Sequence, residues 1–486
     1  MRSTGMPQTQ IFNRLFSAIL LGLGIVTAVA AGQPVDRAAW IDSAVTATSD
    51  DPRRVPVPKG FNEPAGSIVI RNARLFDGTG VPARAAALLI SGSHILRIGA
   101  SEAELAAPAD AQVIDVAGRT VMPGLIDLHT HLTYVEQFGL PASTSDESQA
   151  GAALRGQERL RYYVESGVTS VRDVASHGAA PFLLKQWVAS GRIPGPRVFA
   201  AGSLITAVGG HGTEGEAMRT APSYLDGAVY EASGAEGFRN AVRVQFKRGA
   251  DLIKLGSHFS SEEVRAAVDE AHALGLRVTV DSETIYTQIA VEAGVDCVEH
   301  PLPRSDETIR LMAKMNVCSV MTLVPYQYIN AGGGYHFSTS RRFTETDAVN
   351  LATVKKMDAA GIKIGIGTDL VVGWYRFLPG AYLQELRNYE SLGKTPAQAL
   401  IAATKTNAEI LGMADRLGTL VPGKLADLIV VDGRPDENVE DLRKLDHVIV
   451  NGRVIVRNGR VEIPRHVEET APLANLPALN TQSIAK

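Results

Sequence analysis

A chain of 486 residues is much longer than one minimal core requires, so it holds either a single large core or roughly two or three domains. Its hydrophobic share of 45% against 21% charged residues is ordinary globular composition, which excludes a disordered or fibrous chain. With 48 Lys and Arg against 52 Asp and Glu, a net charge of −4 and no basic tract, nucleic acid drops out as a partner.

Residues 1–30 differ from the rest: Arg2 and Arg14 are the only charges, an apolar run begins at Leu15, and the segment ends in Ala28, Val29 and Ala30. This is the pattern of a secretory signal peptide, and it predicts a periplasmic or secreted protein with no stable membrane span after cleavage. An uncleaved anchor is the alternative, because the apolar run is near the lower limit for a membrane span. Two cysteines remain, Cys297 and Cys318, both in apolar strand-like runs, and they read as two buried thiols. Residues 31–66 lack periodicity and read as a leader or wrapping arm.

From residue 67 the texture becomes short and β-rich: SIVIRNARLFDGTG, AAALLISGSHILRIG, AQVIDVAGRTVMPG. A matching texture returns in KLADLIVVDGRP and HVIVNGRVIVRNGRVEI, so residues 67–122 and 417–465 are expected to build one small β-sandwich from both ends of the chain. Between them, apolar strand candidates alternate with amphipathic helix candidates. The strands are GLIDLHTH, TSVRDV, PRVFAAG, DLIKLG, RVTVD, DCVEH, VCSVMTL and IKIGIGTD. The helix SSEEVRAAVDEAHALG carries Ser260 three residues before Glu263 as a capping box and Gly275 as terminator. Eight such strands over residues 123–416 predict an α/β fold, a (β/α)8 TIM-like barrel, with a doubly wound open sheet as runner-up. Residues 466–486 read as a loose tail.

In a barrel of this kind, chemistry sits at the C-terminal ends of the strands. His129 and His131 end the first strand, and residues two apart on a strand face the same way, so their imidazoles converge. Alone, a His-x-His pair reads more readily as two histidines in a polar loop. Lys254 lies within the apolar run of the fourth strand, Glu299 and His300 end the sixth, and Asp369 ends the eighth. A lysine in such a run is costly to bury as an ammonium and must be neutralised, paired or modified.

The motifs PGLIDLHTH, GADLIKL, GVDCVEH and IGTD, with the stretch ATKTNAEILGMADRLGTLVPGKLADLIVVDG, together resemble the amidohydrolase superfamily of metal-dependent hydrolases. The resemblance spans residues 67–463 and is strongest to the imidazolonepropionase-related and prolidase-like branch. It implies that His129, His131 and Asp369 bind a buried Zn2+. It further implies that Lys254, carboxylated by CO2 to a carbamate, bridges two cations, and that His300 binds the second. One position departs: where the branch usually ends its fifth strand in histidine, this chain has Asp281 in Val278-Thr279-Val280-Asp281-Ser282. Asp281 either serves as a carboxylate ligand, leaves a single-metal enzyme, or marks an inactive relative.

Weaker candidates follow. His211 in GGHG is implied to contact substrate or polarise an oxyanion, with a loop-stabilising role as alternative, and Arg376 reads as a substrate-carboxylate clamp or a surface residue. Tyr224, Tyr230 and Tyr326 lie in loops near the expected pocket and His258 at its rim, while His177, His272 and His336 read as solvated. The implied activity is exported, metal-assisted hydrolysis of an amide or peptide bond in a dipeptide, a C-terminal peptide bond or an N-acyl amino acid, with Asp369, His300 and His211 as catalytic groups. The alternatives are a single-metal imidazolone-type hydrolase or deaminase, and a non-catalytic binding relative. The partner is a small molecule or short peptide, and a homo-oligomer is left open.

Overall fold

The computed structural model describes residues 64, 66–134, 149–213, 227–331, 345–370 and 378–463. The signal-like segment, nearly all of the arm, Tyr224, His336, Arg376 and the C-terminal tail lie outside the described residues. Among the described residues no helix is long and apolar enough to cross a membrane.

The chain opens with β1 (Ser67–Leu75), β2 (Arg84–Ser91), β3 (His94–Gly99), β4 (Gln112–Asp115) and β5 (Thr120–Pro123). The middle carries β6 (Leu125–Thr130), β7 (Val168–Asp173), β8 (Arg197–Ala200), β9 (Leu204–Ala207), β10 (Val229–Ala232), β11 (Leu252–Gly256), β12 (Arg277–Asp281), β13 (Cys297–Glu299), β14 (Cys318–Val320) and β15 (Ile364–Gly365). It closes with β16 (Leu428–Val431), β17 (Leu445–Val450), β18 (Arg453–Arg457) and β19 (Arg460–Val461).

The two ends of the chain do meet. One nine-stranded sheet runs β19-β18-β17-β16-β5-β1-β2-β3, with β4 on β1, and the seam is the antiparallel ladder of β5 with β16. At the far edge His94 bridges Leu425, just upstream of β16, so the sheet curls back towards its own middle. Ile70, Leu88, Ile90, Val121, Leu428 and Ile449 pack as one cluster on it.

In the middle every strand ladder is parallel, as alternating strands and helices require. The ladders form a three-stranded sheet, β6-β7-β8, and a seven-stranded sheet, β10-β9-β11-β12-β13-β14-β15. Backbone hydrogen bonds outside these ladders join the two. Asp251 N–H donates to Ala200 O (2.9 Å), linking β8 to β11, and Leu128 N–H donates to Ile366 O (3.1 Å), linking β6 to the end of β15. This α/β arrangement is consistent with the expected TIM-like barrel. Two strands were not expected: β9 and β10 fall between the third and fourth predicted strands, four residues each, too short for periodicity to reveal.

The helix Ser261–Ala273 has its capping box in place, the Ser260 side chain accepting from Glu263 N–H and the Glu263 side chain accepting from the Ser260 backbone. Its Val264 and Val268 join Ile253, Val278, Val280 and Val298 in the main core. Burial of each such side chain stabilises the fold by about 1.5–3 kcal/mol. The reading of Cys297 and Cys318 as thiols is corrected: they form a disulfide. They are direct partners in the parallel register of β13 and β14, a pairing that separation along the chain does not disclose.

Candidate metal centre

His129 lies in β6 and His131 just past its end, and both rings are buried. Each has one nitrogen fixed by a partner that only accepts. His129 Nδ1–H donates to Glu299 Oε2 (2.7 Å) and His131 Nδ1–H donates to Ala175 O (3.0 Å). In the neutral rings both Nε2 atoms therefore carry a lone pair and no proton. They stand 3.2 Å apart, and Asp369 Oδ1 stands 3.4 Å from the first and 3.1 Å from the second.

With both rings neutral, three lone-pair donors converge here. A tetrahedral ion bonded at about 2.0–2.1 Å keeps its ligands roughly 3.3 Å apart, so the three distances are the edges such an ion requires. Among the described residues this is the one group of three His, Cys, Asp or Glu side chains whose donor atoms all lie within 4.8 Å of one another. Electrostatics agree. Burial, then the charge of Lys254, pushes His129 down to about 3, keeping the ring neutral as a ligand must be.

The backbone is built to this shape. Asp369 and His300 both have left-handed φ, +46° and +68°, which costs a non-glycine residue about 1–2 kcal/mol. Asp369 N–H donates to His129 O (2.8 Å), and an Arg304 Nη2 donates to the carbonyls of Glu299 (2.9 Å) and His300 (2.7 Å), which offsets part of that cost. A Cβ on Gly367 would meet His129 Cβ and N at 2.8 Å, so only glycine lets the eighth strand lie against His129.

Lys254 is 2% exposed in the middle of β11. Burial lowers its pKa although Glu299, Asp281 and Asp369 oppose this. A buried amine shifted towards neutrality is the form that reacts with CO2.

Residues 120–455 match the family described as Amidohydrolase family. The chain belongs to the amidohydrolase family. This amidohydrolase is 27% identical over 446 residues to ochratoxinase of Aspergillus niger, covering 83% of the chain and 89% of the relative. It is 27% identical over 391 residues to imidazolonepropionase of Geobacillus kaustophilus (strain HTA426), covering 73% and 85%. Among solved structures it is similar to a prolidase complexed with N-methylphosphonate-L-proline, at TM-score 0.71 and 28% identity, over 81% of this chain and 100% of that one.

The other predicted residues of this amidohydrolase fall around Asp281, the last residue of β12. Asp281 Oδ2 lies 2.8 Å from His300 Nε2 and 2.9 Å from His211 Nε2, and Thr322 Oγ1 is 2.8 Å from His300 Nδ1. A Cβ on Gly210 would meet Thr206 Oγ1 at 2.3 Å and Ser257 O at 2.6 Å, so the GGHG loop packs tightly on the end of β11 and fixes His211. Tyr326 is buried with its ring 5.9 Å from that of His300, and Tyr230 is half-buried on β10. The His258 ring lies tilted against that of Tyr286, 5.0 Å between centroids. His272 is exposed and paired with Asp296, as a solvated residue can be. The expectation for His177 is corrected: it is half-buried, its N–H donating to Thr133 Oγ1 (2.7 Å), and Tyr134 stacks on His131 between them.

Sequence reading missed the supports. Glu299 accepts from His129, from Arg172 Nη2 (2.5 Å) and from Thr279 Oγ1. Asp127 accepts from His129 N–H (3.1 Å), Thr368 N–H (2.9 Å) and Thr368 Oγ1 (2.6 Å), tying the first strand to the eighth. The available signal was an ionisable residue inside each apolar strand, Asp127 in GLIDLHTH, Arg172 in TSVRDV and Glu299 in DCVEH, since buried charges occur in pairs or at sites.

Proposed function

We propose that this chain is an exported hydrolase that cleaves an amide or peptide bond of a small substrate: a dipeptide, a C-terminal peptide bond or an N-acyl amino acid. The observation that carries it is the convergence of His129 Nε2, His131 Nε2 and Asp369 Oδ1, three bare donors at ligand spacing. A divalent cation held there, Zn2+ by its mixed imidazole and carboxylate donors, supplies Lewis acidity and a water acidic enough to attack at neutral pH.

The chain's own groups do the rest. Asp369 faces the imidazoles through Oδ1, which leaves Oδ2 to take the proton of the attacking water and return it to the leaving amine. His211, with a ring 20% exposed and held by Asp281, is the candidate to contact the substrate. Lys254 is the residue on which a carbamate would form. We take the eight parallel strands to close as a (β/α)8 barrel with a β-sandwich beside it, which sets all these groups at one mouth. The N-terminal pattern of residues 1–30 and the Cys297–Cys318 disulfide both favour an oxidising, extracytoplasmic location. The prolidase and ochratoxinase likenesses favour a peptide-like bond, and the imidazolonepropionase likeness at equal identity keeps ring-opening of a cyclic amide as the second reading.

The test is a panel of dipeptides, N-acyl amino acids and cyclic amides offered to the zinc-loaded protein, with amine release measured. Hydrolysis of the linear amides, lost in His131→Ala, is the expected result. Turnover of cyclic amides alone would replace this reading by the second.

A further inference from the structure

The family's expected second cation needs a donor at the end of β12, and the geometry there differs in kind from the first centre. At His129 and His131 the Nδ1–H is taken by an acceptor and Nε2 is bare. At His300 and His211 it is Nε2 that faces a carboxylate oxygen, at 2.8 and 2.9 Å, so the ring proton lies on Nε2, directed at Asp281. His300 Nδ1 is then the acceptor for the Thr322 hydroxyl at 2.8 Å. The tautomer is the reverse of a ligand's.

The spacing tells the same story. Both imidazoles are under 3 Å from one Asp281 oxygen, so that single oxygen serves two ring N–H donors at once. A cation placed on Asp281 and His300 would have to displace hydrogen bonds that already satisfy the carboxylate.

Resting on the reading of His129, His131 and Asp369 as ligands, we propose that Asp281 turns the second cation site into a carboxylate bridge between His211 and His300, and that the centre holds a single divalent ion. Asp281 is then a positioning residue. It sets the two imidazoles over the mouth in place of a second metal.

Counting zinc on the full chain by atomic emission, after loading and exhaustive desalting, tests this without any substrate. About one zinc per chain is expected for the wild type, and about two for Asp281→His, which restores an imidazole at the strand end. Should that variant fail to fold, His300→Ala serves: it is expected to keep one zinc and the wild-type rate of release to a chelator. Two zincs in the wild type, a faster release from His300→Ala, or one zinc in a folded Asp281→His would each overturn the proposal. A count near zero would overturn it together with the reading of the first ion, whereas one zinc without hydrolysis of any amide would sink only the proposed reaction.

Discussion

Glu299 has no reacting atom to touch, yet the ring of His129 is aimed by it. Its carboxylate accepts from His129 Nδ1–H, from Arg172 and from Thr279, all in the row beneath the ligands. Burial alone would raise its pKa, but Arg172, then His129 and Lys254, keep it ionised and well below the usual range. Outer groups of this kind fix the tautomer of a ligand and raise its basicity, and losing one typically weakens metal binding about 10–100-fold. Glu299→Gln keeps the volume but sets an amide N–H₂ against one of the three donors and leaves the buried Arg172 guanidinium without its counter-charge. We expect zinc affinity, read by competition with a chelator, to fall within that range. An unchanged affinity would show that His129 is oriented by something else. The sequence placed Glu299 beside His300 but gave it no task, because a strand's period tells which face a residue shares and not which neighbour it meets.

Between elements, buried polar groups join pieces that sequence reading treats separately. The helix Gly380–Glu390 sends Glu385 to the start of the helix Leu323–Ala331, where its Oε1 accepts from Val324 N–H at 2.6 Å. Among the described residues its Oε2 finds no hydrogen-bond partner, and burial pushes the carboxyl up to about 8 despite the bonds that Val324, Asn388 and Leu323 give it. The folded chain then holds a proton that the unfolded chain releases near the ordinary carboxylate value of 4.5. Stability consequently falls as pH rises from about 4.5 to about 8 and is level above, by an amount on the order of several kcal/mol at most. Glu385→Gln keeps the acceptor for Val324 and cannot ionise. Urea denaturation at a series of pH values should show a flatter profile for the variant, with its largest gain over the wild type near pH 8. Parallel profiles would mean that Glu385 is ionised in the native state. Asn407 shows the same limit of sequence reading: its side chain donates to Ile126 O (2.7 Å) and Ile366 O (2.9 Å) and accepts from Ile366 N–H (3.0 Å), filling the gap between the first and eighth strands. TKTNA was legible as a family motif, but its physical task needs the three-dimensional join.

Over the whole molecule, what periodicity and turn chemistry encode was legible: the parallel α/β middle, the sheet shared by both chain ends, and His129, His131 and Asp369 at the strand ends. What depends on lateral register was not, namely the Cys297–Cys318 bond, the inserted β9 and β10, and the way Asp281 sits between two imidazoles. The metal centre itself is a whole-molecule feature, because its ligands come from the first and last of the eight strands and are brought together only by folding. An ion that binds the native chain alone stabilises it by about 2.7 kcal/mol at a hundred times its dissociation constant. For a chain of this length a change of 1 kcal/mol moves the midpoint by roughly 2 °C or less, so the expected rise is about 3–5 °C. The wild-type Tm should therefore climb with the logarithm of free zinc after chelation and re-addition. His131→Ala removes one of the three converging donors and should flatten that line, while the loss of its buried ring and of its hydrogen bond to Ala175 O lowers the metal-free Tm by an amount that does not depend on zinc. Equal zinc-dependent slopes in the two proteins would place the stabilising ion somewhere other than between His129, His131 and Asp369.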